Sequence, residues 1–196
     1  MALFEQIINT HSSFLGTLRH SFLDEDRKTA LQNFELKGFP TKKDEEYKYT
    51  NLKEITEKEY NFFPTEEHNI SKEQLDALHL GEENFDRIVF INGKLHKEFS
   101  KISIGNAEFL SFGYALNDSA HKEAFDQYFN TIANRDLAFT NLNSAYCNFG
   151  FFLRVPKNVV IEKPIHIFYL SQNQNENTFY NTRNLLIVEE GAKVEI

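Results

Sequence analysis

The single cysteine, Cys147, and seven histidines are the side chains best able to hold a metal ion or attack an electrophile. One thiol makes neither an internal disulfide nor a cysteine-based zinc site. Cys147 lies in Ala145-Tyr146-Cys147-Asn148, at the expected C-terminal end of a helix. A reactive thiolate needs a neighbouring base, a cation or a helix N-terminus. A small packing residue therefore fits better than a sulfur or iron ligand. The histidines (His11, His20, His68, His79, His96, His121 and His166) do not cluster at metal-ligand spacing. His11 falls on the apolar face of the first expected helix, where a hydrogen-bonded core or boundary role fits. His166 alternates with Ile165 and Ile167 and so faces away from them, toward solvent. Asp24-x-Asp26 has the form of a divalent-ion pair, but two acids in a first helical turn are accounted for by the helix dipole. Lys42-Lys43-Asp44-Glu45-Glu46 reads as a solvated mixed-charge run rather than a docking patch. The sequence carries no Gly-rich phosphate loop, no Gly-x-Ser-x-Gly elbow and no His-Glu-x-x-His pair. No catalytic, cofactor-binding or metal residue is assigned, and the chain is not expected to be an enzyme.

The elements that must position these residues belong to an ordinary globular chain. It has 196 residues, 41% hydrophobic and 26% charged, with a mean hydropathy of −0.49. The longest apolar runs, such as Ile167-Phe168-Tyr169-Leu170, are far short of the roughly 20 residues that cross a bilayer. The N-terminus lacks a basic region and a small-residue cleavage site, so a cytoplasmic location is expected. The net charge of −8 is lopsided: residues 1–86 hold 18 acids against 10 bases, and residues 87–196 hold 11 of each. An acidic surface repels phosphate backbones, which argues against nucleic acid as a partner.

Phe4, Ile7, Ile8, His11, Phe14, Leu15, Leu18 and Phe22 recur at three- and four-residue steps and predict a helix. A second begins near Asp24, buries Ala30, Leu31, Phe34 and Leu36, and ends at Gly38 before Pro40. Residues 41–70 read as a short helix plus irregular chain. Ser71 with Gln74 forms a capping box for a helix that buries Leu75, Leu78 and Leu80 and stops at Gly81. Arg87–Ile91, Asn92-Gly93 and Lys94–Phe99 read as strand, two-residue turn and returning strand. A further strand is expected in 102–112, helix in 120–146, and strand from Gly150 onward. Val160-Ile161-Glu162-Lys163-Pro164 and Ile187-Val188-Glu189-Glu190-Gly191 repeat in type 27 positions apart, which suggests a solenoid. The expectation is an α+β chain in three parts. An acidic helical domain spans 1–86, a mixed strand-hairpin and helical segment spans 87–149, and the first coils of a right-handed parallel β-helix span 150–196. The alternating strand Ala192–Ile196 would leave an open edge, so the chain is expected to continue or to be covered there, with self-association possible.

Three collinear segments resemble a known family. Gly38-Phe39-Pro40-Thr41 through Glu45-Glu46-Tyr47-Lys48-Tyr49-Thr50 resembles the "G-hydrophobic-P-T … E-E-W-K/R-Y-T" signature near the start of the SufD branch of the SufB/SufD family. Tyr47 takes the place of the usual Trp and keeps an amphipathic ring. Val89-Phe90-Ile91-Asn92-Gly93 resembles that family's hairpin. Leu142-Asn143-Ser144-Ala145, followed by Phe152-Leu153-Arg154-Val155-Pro156 and Val160-Ile161-Glu162-Lys163-Pro164-Ile165, resembles the block leading into its core. At Cys147-Asn148-Phe149-Gly150 the pattern departs, since the family has an Asp before the Gly.

The resemblance implies a scaffold subunit of the sulfur-mobilisation (Suf) machinery, on which iron–sulfur clusters are built. It implies a SufB-like paralogue and a SufC-like ABC ATPase as partners, the latter held through a C-terminal region beyond Ile196. It also implies that the cluster is assembled by the whole complex, with no cofactor bound by this segment. Two other readings compete: a SufB paralogue, and a β-helix enzyme acting on polysaccharide. The latter would need carboxylates set along its coils, and Glu162, Glu189, Glu190 and Glu195, with Lys163 and Lys193, form no paired acids that the sequence can place.

Overall fold

The structure, a computed structural model, describes residues 2–19, 21–63, 69–77, 85–172 and 176–196. In chain order the helices are α1 (Leu3–Thr17), α2 (Asp24–Lys37), α3 (Lys53–Thr56), α4 (Lys72–Ala77), α5 (Phe112–Ala115), α6 (Lys122–Tyr128) and α7 (Ala138–Tyr146). The strands are β1 (Asp86–Ile91), β2 (Lys94–Leu95), β3 (Glu108–Ser111), β4 (Cys147–Phe149), β5 (Phe151–Val155), β6 (Ile165–Leu170), β7 (Asn181–Thr182) and β8 (Leu185–Val188). They form two compact units. The first comprises 1–64, 116–148 and 175–181, and the second 65–115, 149–174 and 182–196.

The first unit is helical. The three-four spacing of α1 turns Leu3, Ile7, His11 and Phe14 inward. They meet Ala30 and Phe34 of α2, Phe62, and Leu142, Ala145 and Tyr146 of α7 in one core. Each large side chain taken fully out of water there contributes about 1.5–3 kcal/mol. The helix α1 stops at Thr17, so Phe22 lies beyond it and packs edge-on against Phe125 at 5.2 Å. The helix α2 ends at Gly38, whose φ of +68° suits a residue without Cβ. Leu36, expected in the core, is 86% exposed because it falls off the stripe set by Ala30 and Phe34. The expected helix at 120–146 is two helices, α6 and α7, with an irregular stretch between them. The predicted end of α4, with Leu78, Leu80 and Gly81, lies outside the described residues.

The second unit holds the two three-stranded sheets. The strand β1 is almost wholly buried because it is flanked on both sides, antiparallel to β2 and parallel to β6 from Asp86↔Ile165 to Ile91↔Leu170. Asn92 (φ +48°) and Gly93 (φ +84°) make the tight turn to β2. The returning strand is only Lys94–Leu95, shorter than expected. A second sheet has the order β3-β5-β8, with β3 antiparallel and β8 parallel to β5. Between the sheets, Ile88, Phe90, Phe151, Leu153, Val155, Ile161 and Ile165 form the core.

The expected β-helix is corrected by this topology. The fold is α+β, but its sheets are short and mixed, and no solenoid of stacked coils is present among the described residues. The pairs β1 with β2 and β3 with β5 are antiparallel. The parallel partner of β6 is β1, far earlier in the chain, rather than its neighbour in sequence. The apparent 27-residue repeat is not the pairing register: Val155 faces Val188 and Val160 faces Lys193. Apolar alternation reports which face of a strand is buried and is silent on its partner. The polysaccharide-enzyme reading loses its scaffold with this correction.

Candidate functional site

The residues with chemical potential fall mostly in the first unit, around the end of α7. Cys147 is buried, and its Sγ lies 3.3 Å from the Ser144 carbonyl, in place to donate to it. Its own carbonyl accepts from Arg27 Nε at 3.2 Å and Nη2 at 2.7 Å. Arg27 is 1% exposed, yet its guanidinium also donates to Ser21 Oγ at 2.7 Å and pairs with Asp24 at 3.0 Å. A buried charge is tolerated only when paired and hydrogen-bonded in this way. The fork of Arg27 thus ties the start of α2 to the end of α7. Sequence reasoning missed it, although the signal was present. Arg27 stands three residues before Ala30 and seven before Phe34, on the apolar stripe of its helix.

The Asp24-x-Asp26 pair does not converge. Asp24 accepts from Ser21 and Arg27, while Asp26 pairs with Arg135 at 2.8 Å. His11 sits in the core, its Nε2 donating to the Ala145 carbonyl at 3.0 Å and its ring edge-on to Tyr146 at 5.2 Å. Burial pushes its imidazole below the ordinary 6.5, and the nearby charges of Arg27 and Lys28 act the same way against the raising effect of that hydrogen bond. The Tyr146 hydroxyl donates to the Ile7 carbonyl at 2.5 Å, and burial pushes the phenol well above its usual value.

The signature segment wraps the C-terminal end of α2. Thr41 donates to Asp44 Oδ2 from its N–H at 2.7 Å and its hydroxyl at 3.1 Å, and Asp44 N–H returns to the Thr41 carbonyl. Those donors hold the Asp44 carboxyl below its usual range. A 3-10 turn follows at Glu45–Tyr47. Phe39 packs edge-on against Phe34 at 5.1 Å, and Tyr47 rests on Phe139 at 5.9 Å. Phe39, Thr41, Asp44 and Tyr47, with Lys37, Asp136 and Leu137, line an open cleft of about 510 Å³. The rest of the mixed-charge run is exposed, and Tyr49 is 92% exposed.

In the second unit, His166 is half-buried and stacks on Phe85 at 4.2 Å, while His96 stacks on Phe99 at 4.4 Å. His121 is buried in the first unit beside Asp118. His20, His68 and His79 lie outside the described residues. Glu189 pairs with Arg154 at 2.6 Å and accepts from Lys157 N–H; the Arg154 hydrogen bond chiefly holds its carboxyl below the ordinary range. That is the wrong direction for a glycosidic general acid, whose pKa must be raised. Glu190 pairs with Lys157. Among the described residues no group of three His, Cys, Asp or Glu side chains converges as a metal site, and no helix is long and apolar enough to cross a membrane.

Residues 2–167 match the model of the SufBD protein N-terminal region. The chain is 27% identical over 191 residues, 97% of its length, to an iron–sulfur cluster assembly SufBD family protein of Synechocystis. That match spans 42% of the relative, so this chain covers less than half of it. SufBD family proteins of Staphylococcus saprophyticus and Staphylococcus haemolyticus are 37% and 36% identical over 75 residues, which is 38% of this chain and 16% of each relative.

Proposed function

The chain belongs to the SufBD family, and from that premise we propose that it forms the N-terminal region of a SufD-type scaffold subunit in iron–sulfur cluster assembly. The observation that carries this is the collinear match of residues 2–167 to the SufBD N-terminal region. The SufD assignment, as against a SufB paralogue, is supported by the segment Gly38–Thr50. Its Gly38, Phe39, Thr41 and Tyr47 have structural tasks at and after the end of α2. In this reading ATP turnover belongs to a SufC-like partner, and a SufB-like paralogue completes the platform. The nascent cluster is cargo of the whole complex rather than a resident group of this region. This region contributes a helical unit locked by the Arg27 fork and a sheet unit whose edge strands, β3 and β8, are unpaired on one side among the described residues.

Affinity purification of the tagged full-length product tests the proposal. Co-purification of a SufB-like protein and a SufC-like ATPase supports it. Recovery of the SufC-like protein with a SufD-like paralogue instead assigns the chain to the SufB branch. Recovery of neither partner, from cells in which both are expressed, refutes the assembly role.

A further inference from the structure

The second unit carries a groove beside its core, lined in part by residues that pack against that core. It has a volume of about 530 Å³ and is lined by Leu95, Lys97, Ile102, Phe109, Leu110 and Tyr114. Tyr114 is 61% exposed there. Ser100 also borders the groove, but its hydroxyl is engaged: it donates to the His96 carbonyl at 2.7 Å and accepts from Val89 N–H at 3.0 Å. Lys97 is exposed and makes no ion pair among the described residues. Around it, residues 94–101 hold three lysines against one glutamate, in a chain whose net charge is −8.

The groove also runs beside an open sheet edge. Among the described residues β3 pairs only with β5. Phe112 N–H donates to the Gly150 carbonyl at 2.9 Å, which fixes the antiparallel alternation. Ser111↔Phe151 and Phe109↔Leu153 are then the pairs without mutual hydrogen bonds. The amides and carbonyls of Phe109 and Ser111 therefore point away from β5, about 6.8 Å apart, two residues at the antiparallel strand rise. A row of donors and acceptors at that spacing, an apolar wall and an unpaired ammonium are three features that one occupant satisfies together.

We propose that this groove docks an extended segment of a partner polypeptide, which adds a strand to the free edge of β3. The segment carries apolar side chains at alternate positions for the Leu95–Ile102–Tyr114 wall and a carboxylate that meets Lys97. Main-chain hydrogen bonds supply the attachment, and the side chains supply the selectivity. The proposal rests on the geometry of the second unit alone, so it stands or falls separately from the iron–sulfur reading.

The test uses the whole 196-residue chain, ¹⁵N-labelled, and two blocked synthetic heptapeptides. One is Thr-Val-Glu-Val-Thr-Val-Glu, and the control replaces each Glu with Lys. The acidic peptide is expected to shift the amide resonances of Phe109 and Ser111 in a saturable way. The control should bind at least tenfold more weakly. Lys97→Glu, an exposed change checked for folding by circular dichroism, should weaken the acidic peptide by at least tenfold and improve the control. Four results would overturn the proposal. These are no shift at Phe109 and Ser111 up to millimolar peptide, equal affinity for the two peptides, shifts confined to Leu185–Val188, or self-association of the free chain through β3.

Discussion

Replacing Arg27 with Met should unfold the helical unit more easily by about 3 kcal/mol. The figure follows from what the guanidinium holds. The buried Cys147 carbonyl loses both of its hydrogen bonds from Arg27, and losing hydrogen bonds to a charged partner costs about 1.5–3 kcal/mol. Asp24 loses its cation, but its side chain is 24% exposed and water replaces part of the loss, so this adds about 1 kcal/mol or less. Methionine keeps most of the volume, so the cavity contribution is small. With an m-value of about 2 kcal/mol/M, the urea midpoint should fall by roughly 1.5 M. Far-UV circular dichroism and tyrosine fluorescence, followed together, show whether the transition is shared by both probes. Arg27→Lys keeps the charge without the planar fork and should lose about half as much. Asp24→Asn should lose less than about 1 kcal/mol. If Arg27→Met leaves the midpoint within about 0.3 M of the parent, the fork does not hold α2 to α7 and the reasoning is wrong.

Stability should fall on acidification below pH 6.5. His11 has its folded pKa depressed by burial, so the unfolded chain binds the extra proton first and that share of stability is lost as pH drops from 6.5 toward the folded value. His11→Gln should remove this slope, and urea titrations between pH 5 and pH 8 would show it. Gly150→Ala should destabilise by about 2 kcal/mol or more, because a Cβ would stand 2.1 Å from the Arg183 carbonyl oxygen at a φ of +114°; thermal melts would measure it. Tyr146→Phe should cost about 1–2 kcal/mol through the lost hydrogen bond to Ile7. In the wild type the Tyr146 phenol should stay un-ionised at pH values where exposed tyrosines titrate at 295 nm. The partly exposed Leu186 and Val188 on the edge strand β8 should drive concentration-dependent self-association of the 196-residue chain. Light scattering that finds only monomer at about 100 μM would remove that expectation.

Local chemistry was legible in the sequence wherever it determined local structure. Asp24, Gly38 and Pro40 bounded α2, Asn92-Gly93 marked the hairpin, and the three-four spacing of Leu3 to Phe14 set the face of α1. Pairing between strands was not legible. The side chains of β8 alternate in burial whichever strand lies beside them, so the sequence around Val160 and Ile187 suggested stacked coils where the chain forms mixed sheets. The Arg27 fork was hidden for a related reason. Its main acceptor is a backbone carbonyl 120 residues away, and every residue type offers a carbonyl. The signature segment stood out as a motif, but only the fold shows that its aromatic members pack between α2 and the start of α7 while Tyr49 stays exposed.

The most direct measurement of the central claim is the activity of iron–sulfur enzymes in cells that lack the full-length gene, grown under iron limitation. Activity should fall while the apoproteins persist, and the intact gene should restore it while a copy without residues 1–64 should not. Undiminished iron–sulfur enzyme activity in the deletion strain, with no paralogue present to substitute, would contradict the claim.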